Sequence, residues 1–184
     1  MTSATDWLSK AELLEAIRAS GRDVVATVHA LPKQAFERGR YEHGWNAHEL
    51  LCHLAGIEWV YALYVGLARL GTPLGGEEAV APVRRTQPHE GPDVATLSAE
   101  GGIDGFNARE VAKRAEASVQ QLLEEFERHR AALIDAVERA DEALLRTPVR
   151  SIGSITGILG GVLYRVAVEH VREHIADMQA AAAV

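Results

Sequence analysis

Cysteine, aromatic side chains and long apolar runs are all scarce in this chain of 184 residues. Its single cysteine, Cys52, excludes an internal disulfide and is typical of a reducing compartment such as the cytoplasm. No stretch approaches 18 uninterrupted apolar residues, and residues 1–9 have neither a basic start nor an apolar segment. We therefore expect a cytoplasmic protein with no membrane partner.

Acidic residues outnumber basic ones: the chain has 26 aspartates and glutamates and 19 lysines and arginines, which gives a net charge of -7. The basic residues are also dispersed along the chain, so no basic patch could contact several phosphates at once, and nucleic acid is not an expected partner. Apolar residues make up 47% of a chain that is rich in alanine and leucine. This composition favours helix and a single all-α domain covering residues 1–184.

Three segments begin with a small polar residue that is followed three places later by glutamate, the pattern of a helix capping box. The pairs are Ser9 with Glu12, Asn46 with Glu49, and Asn107 with Glu110. Apolar residues then recur at spacings of three and four. The pattern predicts a first helix over about 9–31, a second from Asn46 to Gly71, and a third, expected to be the longest, from Asn107 past Val137.

A fourth helix is predicted from a start between Thr156 and Val162 to about Met178, with glycines near its start. Four amphipathic helices with apolar faces predict a four-helix bundle. Residues 71–106 are rich in glycine and proline and show no periodicity, which predicts a long crossover loop between helices 2 and 3. The alanine-rich tail at about 180–184 is expected to fray.

Histidine supplies the strongest chemical signal, because His170 and His174 lie one turn apart on the fourth helix and can reach one metal ion together. His53 lies on the core side of the second helix and is the best candidate for a third ligand. Three neutral imidazoles with other positions left to water or substrate would make a catalytic metal site. The alternative is that each is a core histidine bonded to a carbonyl or carboxylate. Spacing alone leaves both open.

Other polar residues near these positions also allow two interpretations. Glu169 and Asp177 either accept the second imidazole N–H of a ligand or are solvated acids. Glu58 either approaches the site as a base or is buried with an arginine partner. Cys52 is expected to be a small core residue, and His48 an exposed residue of the first helical turn.

The stretch WNAHELLCHL at 45–54 resembles the second helix of the DinB/YfiT-like superfamily. EHVREHIAD at 169–177 is similar to the closing helix of that superfamily, and IDGFN at 103–107 resembles the start of its third segment. The resemblance implies a four-helix bundle that binds a divalent metal, commonly zinc or nickel, through three side chains. Carried over by position, these are His53, His170 and His174.

The resemblance also implies an activity and partners. Superfamily members include transferases and isomerases that use a low-molecular-weight thiol, mycothiol or bacillithiol, and others described only as metal-dependent hydrolases. We expect a transferase acting on a small electrophilic substrate, with a small-molecule hydrolase and a non-catalytic stress-response binding module as alternatives. The maleylpyruvate isomerase branch usually carries a further C-terminal domain, whereas this sequence ends soon after His174, which argues against that particular reaction. A homodimer is a further expectation.

A competing motif is present in the same helix. Residues 170–174 read H-x-x-E-H, the inverted zinc-protease motif in which Glu173 would be a general base. Such proteases take a further acidic ligand far downstream, where this sequence offers none. Glu173 is also about 100° around the helix from His174 and is expected to lie on the flank.

Overall fold

The computed structural model describes residues 8–37, 44–71, 102–151 and 155–182. Four long helical segments form a bundle, which confirms the predicted all-α class. In chain order the elements are α1 (Lys10–Ala30), a 3-10 turn (Lys33–Phe36), α2 (Ala47–Arg69), α3 (Gly102–Lys113), α4 (Val119–Glu138), α5 (Glu142–Leu145), β1 (Pro148–Arg150), β2 (Thr156–Ile158), α6 (Leu159–Tyr164), a π-helical turn (Arg165–Glu169) and α7 (His170–Ala182). We call α6, the π turn and α7 together the closing helix.

The first two predicted helices are confirmed, and both begin with the capping box read from the sequence. Ser9 accepts from the backbone N–H of Glu12, whose carboxylate accepts from the Ser9 N–H in return. Asn46 and Glu49 make the same reciprocal pair at the start of α2. These caps satisfy backbone donors that no intrahelical carbonyl can reach, so they fix where each helix begins.

The predicted third helix is wrong in its start and in its continuity. Asn107 lies inside α3, which already begins at Gly102, and the chain leaves the helix after Lys113. A capping box between Ser118 and Gln121 then starts α4. The third segment is also not the longest, because α4 has 20 residues and α2 has 23. Of the predicted loop 71–106, residues 72–101 lie outside the described residues, and 102–106 are helical.

The core of the bundle surrounds α2, and this burial places one histidine in the interior. Two clusters of buried apolar side chains form the core, and α2 contributes to both, with Val60, Tyr61 and Val65 in one and Leu50, Leu51 and Leu54 in the other. By length and composition α2 could cross a membrane, but 72% of its most apolar window is buried inside the bundle. Such burial is expected of the central helix of a packed bundle.

The closing helix begins at Leu159, inside the predicted window, and extends to Ala182, beyond the predicted end. It follows a short antiparallel hairpin of β1 and β2, which the sequence analysis did not predict. One turn of the helix is π-helical, and there the His170 N–H donates to the carbonyl of Arg165, five residues earlier. This turn immediately precedes the two histidines of interest.

Candidate metal centre

The structure brings together the three histidines singled out in the sequence. His53 comes from α2, and His170 and His174 come from the first turns of α7. The Nε2 atom of His170 lies 3.5 Å from that of His53 and 3.1 Å from that of His174. One potential ligand atom from each ring lies within 4.8 Å of the others, so the three imidazoles face a common point.

The spacing of these nitrogens fits a tetrahedral metal ion. Zinc binds imidazole nitrogen at 2.0–2.1 Å, which places the nitrogens of a tetrahedral site about 3.3 Å apart. The two Nε2 separations of 3.1 and 3.5 Å bracket that value. Three donors also leave one tetrahedral position for a further ligand. The donor set and its spacing therefore fit an open metal site.

Burial keeps the His170 imidazole in the form that binds metal. The side chains of His53 and His174 are 2% and 3% exposed, and His170 is partly buried. Burial, and second the adjacent His174, lower the pKa of His170 to about 4. His170 is therefore neutral at pH 7, and only a neutral imidazole has a lone pair to offer a metal.

Neighbouring side chains lie beside two of the rings. The indole of Trp45, just before α2, lies against His53 with ring centroids 5.0 Å apart. Asp177, one turn after His174, places a carboxylate oxygen 3.6 Å from the Nδ1 atom of that ring. Nδ1 is the nitrogen turned away from the common point. This is where a carboxylate that orients a metal-bound imidazole is normally found.

The other acids near the histidines lie apart from the common point. Arg165 Nη1 contacts both Glu169 (3.3 Å) and Glu173 (2.7 Å) on an exposed flank of the closing helix. Of the two predicted outer partners, the structure thus places Asp177 beside His174 and Glu169 in a surface ion pair. Glu173 lies on the flank, as expected, so the protease interpretation gains no support.

The structure also decides between the two interpretations of Glu58. Glu58 is fully buried and forms an ion pair with Arg130 in which Oε1 lies 2.6 Å from Nε and Oε2 accepts from Nη2 at 3.0 Å. Burial raises the pKa of Glu58 to about 7, while the Arg130 guanidinium acts in the opposite direction. Both carboxylate oxygens are engaged by the arginine, so Glu58 is not placed to serve the histidines as a base.

His48 and Cys52 belong to the packing between α2 and α3. His48 is half-buried rather than exposed as predicted, because its Nε2 atom forms a 2.8 Å hydrogen bond with the Ala117 carbonyl. Cys52 is buried, with its sulfur 3.6 Å from His48 Nδ1 and 3.5 Å from the carbonyl of Arg114. Burial raises the pKa of the Cys52 thiol to about 11. It is a small core residue, as expected.

Comparison with known proteins agrees with the fold. The model of the DinB superfamily matches residues 17–178, which includes all three histidines. No curated protein is significantly similar to the chain.

Two solved structures share this fold. The mycothiol-dependent maleylpyruvate isomerase superposes with a TM-score of 0.68 at 17% identity, over 97% of this chain and 63% of the isomerase. YfiT from Bacillus subtilis, described as a probable metal-dependent hydrolase with an unusual four-helix bundle topology, superposes with a TM-score of 0.69 at 12% identity, over 99% of this chain and 92% of YfiT. The chain thus spans less than two thirds of the length of the isomerase.

Proposed function

The chain belongs to the DinB superfamily, and from this premise we propose that it holds a divalent metal, zinc or nickel, on His53, His170 and His174. We further propose that it is a transferase that joins a low-molecular-weight thiol of the mycothiol or bacillithiol type to a small electrophilic substrate. The observation that carries the proposal is the convergence of three imidazoles, two buried and one partly buried, at the nitrogen spacing of a tetrahedral metal site.

The donor set favours the metals named. Neutral imidazole suits zinc, nickel and other borderline transition metals better than it suits magnesium or calcium, which prefer oxygen ligands. When bound, the metal would supply a Lewis acid that lowers the pKa of a thiol or of water at its remaining position. His53 and α7 would hold the metal from two sides, and Asp177 would orient the His174 ring through its Nδ1 atom.

The chain's own residues support a nucleophile that comes from outside. Its single cysteine is buried in the α2–α3 interface with a raised pKa, so at pH 7 Cys52 is a thiol without access to substrate. Glu58 is held by Arg130 and is not directed at the histidines. Neither Cys52 nor Glu58 is therefore available to attack a substrate, which favours a small-molecule thiol or a water molecule as the nucleophile.

Hydrolysis with water as the nucleophile is the second candidate. It is favoured by the likeness to YfiT, described as a probable metal-dependent hydrolase, because this chain covers 92% of that protein and 63% of the isomerase. A three-imidazole site serves either nucleophile, so the donor set favours neither. Turnover of an activated ester or amide without added thiol would separate hydrolase from transferase.

Metal content tests the shared part of both candidates. Protein purified without a His-tag or chelator would be measured by elemental mass spectrometry, with a His170→Ala/His174→Ala double variant beside it. His48→Ala is the matched control, since His48 lies on α2 near the site but bonds to a backbone carbonyl. We expect about one metal per chain in wild type and control and almost none in the double variant. Metal retained in the double variant would refute the site.

Activity is then tested on the metal-loaded protein. Mycothiol or bacillithiol would be supplied with a small electrophile such as an alkyl halide or epoxide, and an activated ester would be supplied without thiol. If only the electrophile with added thiol gives product, the transferase is supported. If only the ester without thiol gives product, the hydrolase is supported. Stoichiometric metal without either product would favour a non-catalytic binding module.

Location and partners follow from the same proposal. We propose a cytoplasmic protein, since low-molecular-weight thiols act in reducing compartments, and a small-molecule substrate rather than nucleic acid, since the net charge is -7. A homodimer remains a prediction from the superfamily. Light scattering on the purified protein measures it directly.

A further inference from the structure

A buried arginine connects four helices beside the candidate metal centre. The side chain of Arg130, on α4, is 5% exposed and is paired in a two-pronged contact with Glu58 of α2. Its remaining terminal nitrogen, Nη1, donates to the carbonyls of Ile17 (3.0 Å) and Ala167 (2.9 Å) and contacts the hydroxyl of Ser20 at 2.9 Å. One guanidinium therefore joins α1, α2, α4 and the closing helix.

The carbonyl of Ala167 is the contact that matters for the metal centre. It lies in the π turn, and it accepts hydrogen bonds from both Arg130 Nη1 (2.9 Å) and Ser20 Oγ (2.8 Å). A carbonyl oxygen has two lone pairs, so two side-chain donors can engage it fully. The backbone of this turn is thus fixed by side chains of other helices, one turn before His170.

The π turn controls the direction of the two α7 imidazoles. Compared with an unbroken α-helix, a π turn contains one additional residue, and one residue corresponds to about 100° of rotation. If the turn relaxed to α-helical hydrogen bonding, every side chain that follows would rotate relative to α6. His170 and His174 face His53 only while the turn keeps its present form.

We propose that Arg130, held in place by Glu58, is a positioning residue for the metal centre. It fixes the Ala167 carbonyl and with it the π turn, and so sets the direction in which the α7 histidines point. This inference rests on the proposed metal-binding function. It assigns no contact between Arg130 and the metal or substrate.

A purely structural role for the ion pair makes a different prediction. A buried ion pair is often replaced by apolar residues of similar size without loss of stability, whereas removal of one partner leaves an uncompensated charge. The Glu58→Met/Arg130→Met double variant therefore keeps the core filled but removes the donor to Ala167. If the pair only fills the core, this variant should bind metal as the wild type does.

The test compares metal affinity and the absorption spectrum of the cobalt(II)-substituted protein, which reports ligand geometry. We expect the double variant to remain helical, to bind zinc about tenfold more weakly, and to show an altered cobalt band, as happens when residues that orient metal ligands are lost. An affinity and a cobalt spectrum equal to those of the wild type would overturn the proposal.

A matched control comes from a second arginine, which is partly buried. Arg114 has a side chain that is 13% exposed, and its carboxylate partners, Glu110 and Glu125, lie on α3 and α4. An Arg114→Met/Glu110→Met variant removes a comparable pair away from the π turn. We expect its zinc affinity and cobalt spectrum to match the wild type, whatever its stability. An equal loss in this control would show a general effect of core disruption and would overturn the proposal.

A metal-free measurement separates this inference from the proposed function. Amide hydrogen exchange of residues 165–175 in chelated protein should be faster in the Glu58→Met/Arg130→Met variant than in the Arg114 control. A wild type that bound no metal would refute the proposed function alone. Equal exchange rates in the Glu58→Met/Arg130→Met variant and the Arg114 control would overturn the positioning role. If the double variant did not fold, Arg130→Lys keeps a positive charge beside Glu58 but loses the guanidinium donor to the Ala167 carbonyl, and an unchanged affinity and exchange rate in that variant would overturn the proposal.

Discussion

Two histidines on α2 allow a direct test of the metal centre through protein stability. His53 faces His170 and His174, whereas His48, five residues earlier, forms a hydrogen bond with the Ala117 carbonyl. We consider His53→Ala and His48→Ala, each unfolded by heat once with buffered free zinc and once with a chelator. The two substitutions remove the same side chain from the same helix, so they differ only in what that side chain contacts.

The expected magnitudes follow from linkage. A ligand that binds only the folded state stabilises it by about 2.7 kcal/mol when its free concentration is a hundred times the Kd. For a domain of this size, 1 kcal/mol corresponds to about 2–4 °C in Tm, so zinc should raise the Tm of the wild type by about 5–11 °C. His53→Ala should lose almost all of this increase, because only two imidazoles remain, both on α7.

The His48 variant should behave in the opposite way. Loss of the hydrogen bond to Ala117 should lower the unfolding free energy by about 1 kcal/mol in zinc and in chelator alike, while the zinc-induced rise in Tm is kept. Circular dichroism at 222 nm follows both transitions. A wild-type Tm that zinc does not move, or a full zinc shift in His53→Ala, would refute the three-histidine site.

Three further predictions concern glycines of α2, the burial of Cys52 and the cap of α4. At Gly56 an added Cβ would lie 3.0 Å from the Cβ of Glu110, so Gly56→Ala should lower the free energy of unfolding by about 1–3 kcal/mol. At Gly66 an added Cβ would meet nothing within 4 Å, so Gly66→Ala should raise it by about 0.5–1 kcal/mol. Urea titrations that gave both changes the same sign would contradict this. Cys52 should resist iodoacetamide at pH 7.5 in the folded protein and react readily in urea, and rapid labelling of the native state would disprove its burial. Ser118→Ala should cost about 1 kcal/mol in urea unfolding through loss of the α4 cap, and an unchanged midpoint would count against that cap.

Local sequence signals predicted the fold where the local and tertiary preferences agreed. The capping boxes at Ser9 and Asn46 were confirmed because each precedes a long periodic apolar segment that packs into the core. The Asn107–Glu110 pattern failed because Glu110 is instead buried against α2 and paired with Arg114. A local ion pair with Arg114, four residues later, thus took the side chain that the cap would have needed.

The break before α4 is marked in the sequence by a further capping box. Ser118 and Gln121 have capping-box spacing with glutamine in place of glutamate, which the same rule allows. The β1–β2 hairpin has three residues in each strand, too short for alternation to be recognised. Short elements depend on their neighbours more than on their own sequence.

The candidate site was more predictable than the helix boundaries. The four-residue spacing of His170 and His174 fixes their relation within any α-helix, and the helical register places His53 in the core. Neither the π turn nor the role of Arg130 could be read from spacing, because both depend on contacts among helices far apart in sequence. Local helix geometry thus predicts where the three histidines lie, but it does not predict which residues fix their direction.

Apolar packing joins the two helices that carry the imidazoles. Buried side chains from α2 and α7 share one apolar cluster, among them Leu50, Leu54, Val171 and Met178, and each such side chain contributes about 1.5–3 kcal/mol on burial. In small zinc domains the metal supplies most of the folding free energy, and the apo chain is unfolded. Here an apolar cluster joins α2 and α7, so we expect the free energy of metal binding to depend mainly on how accurately the three nitrogens are placed. Residues that set the direction of the α7 histidines, Arg130 among them, should therefore change metal affinity more than they change the stability of the bundle.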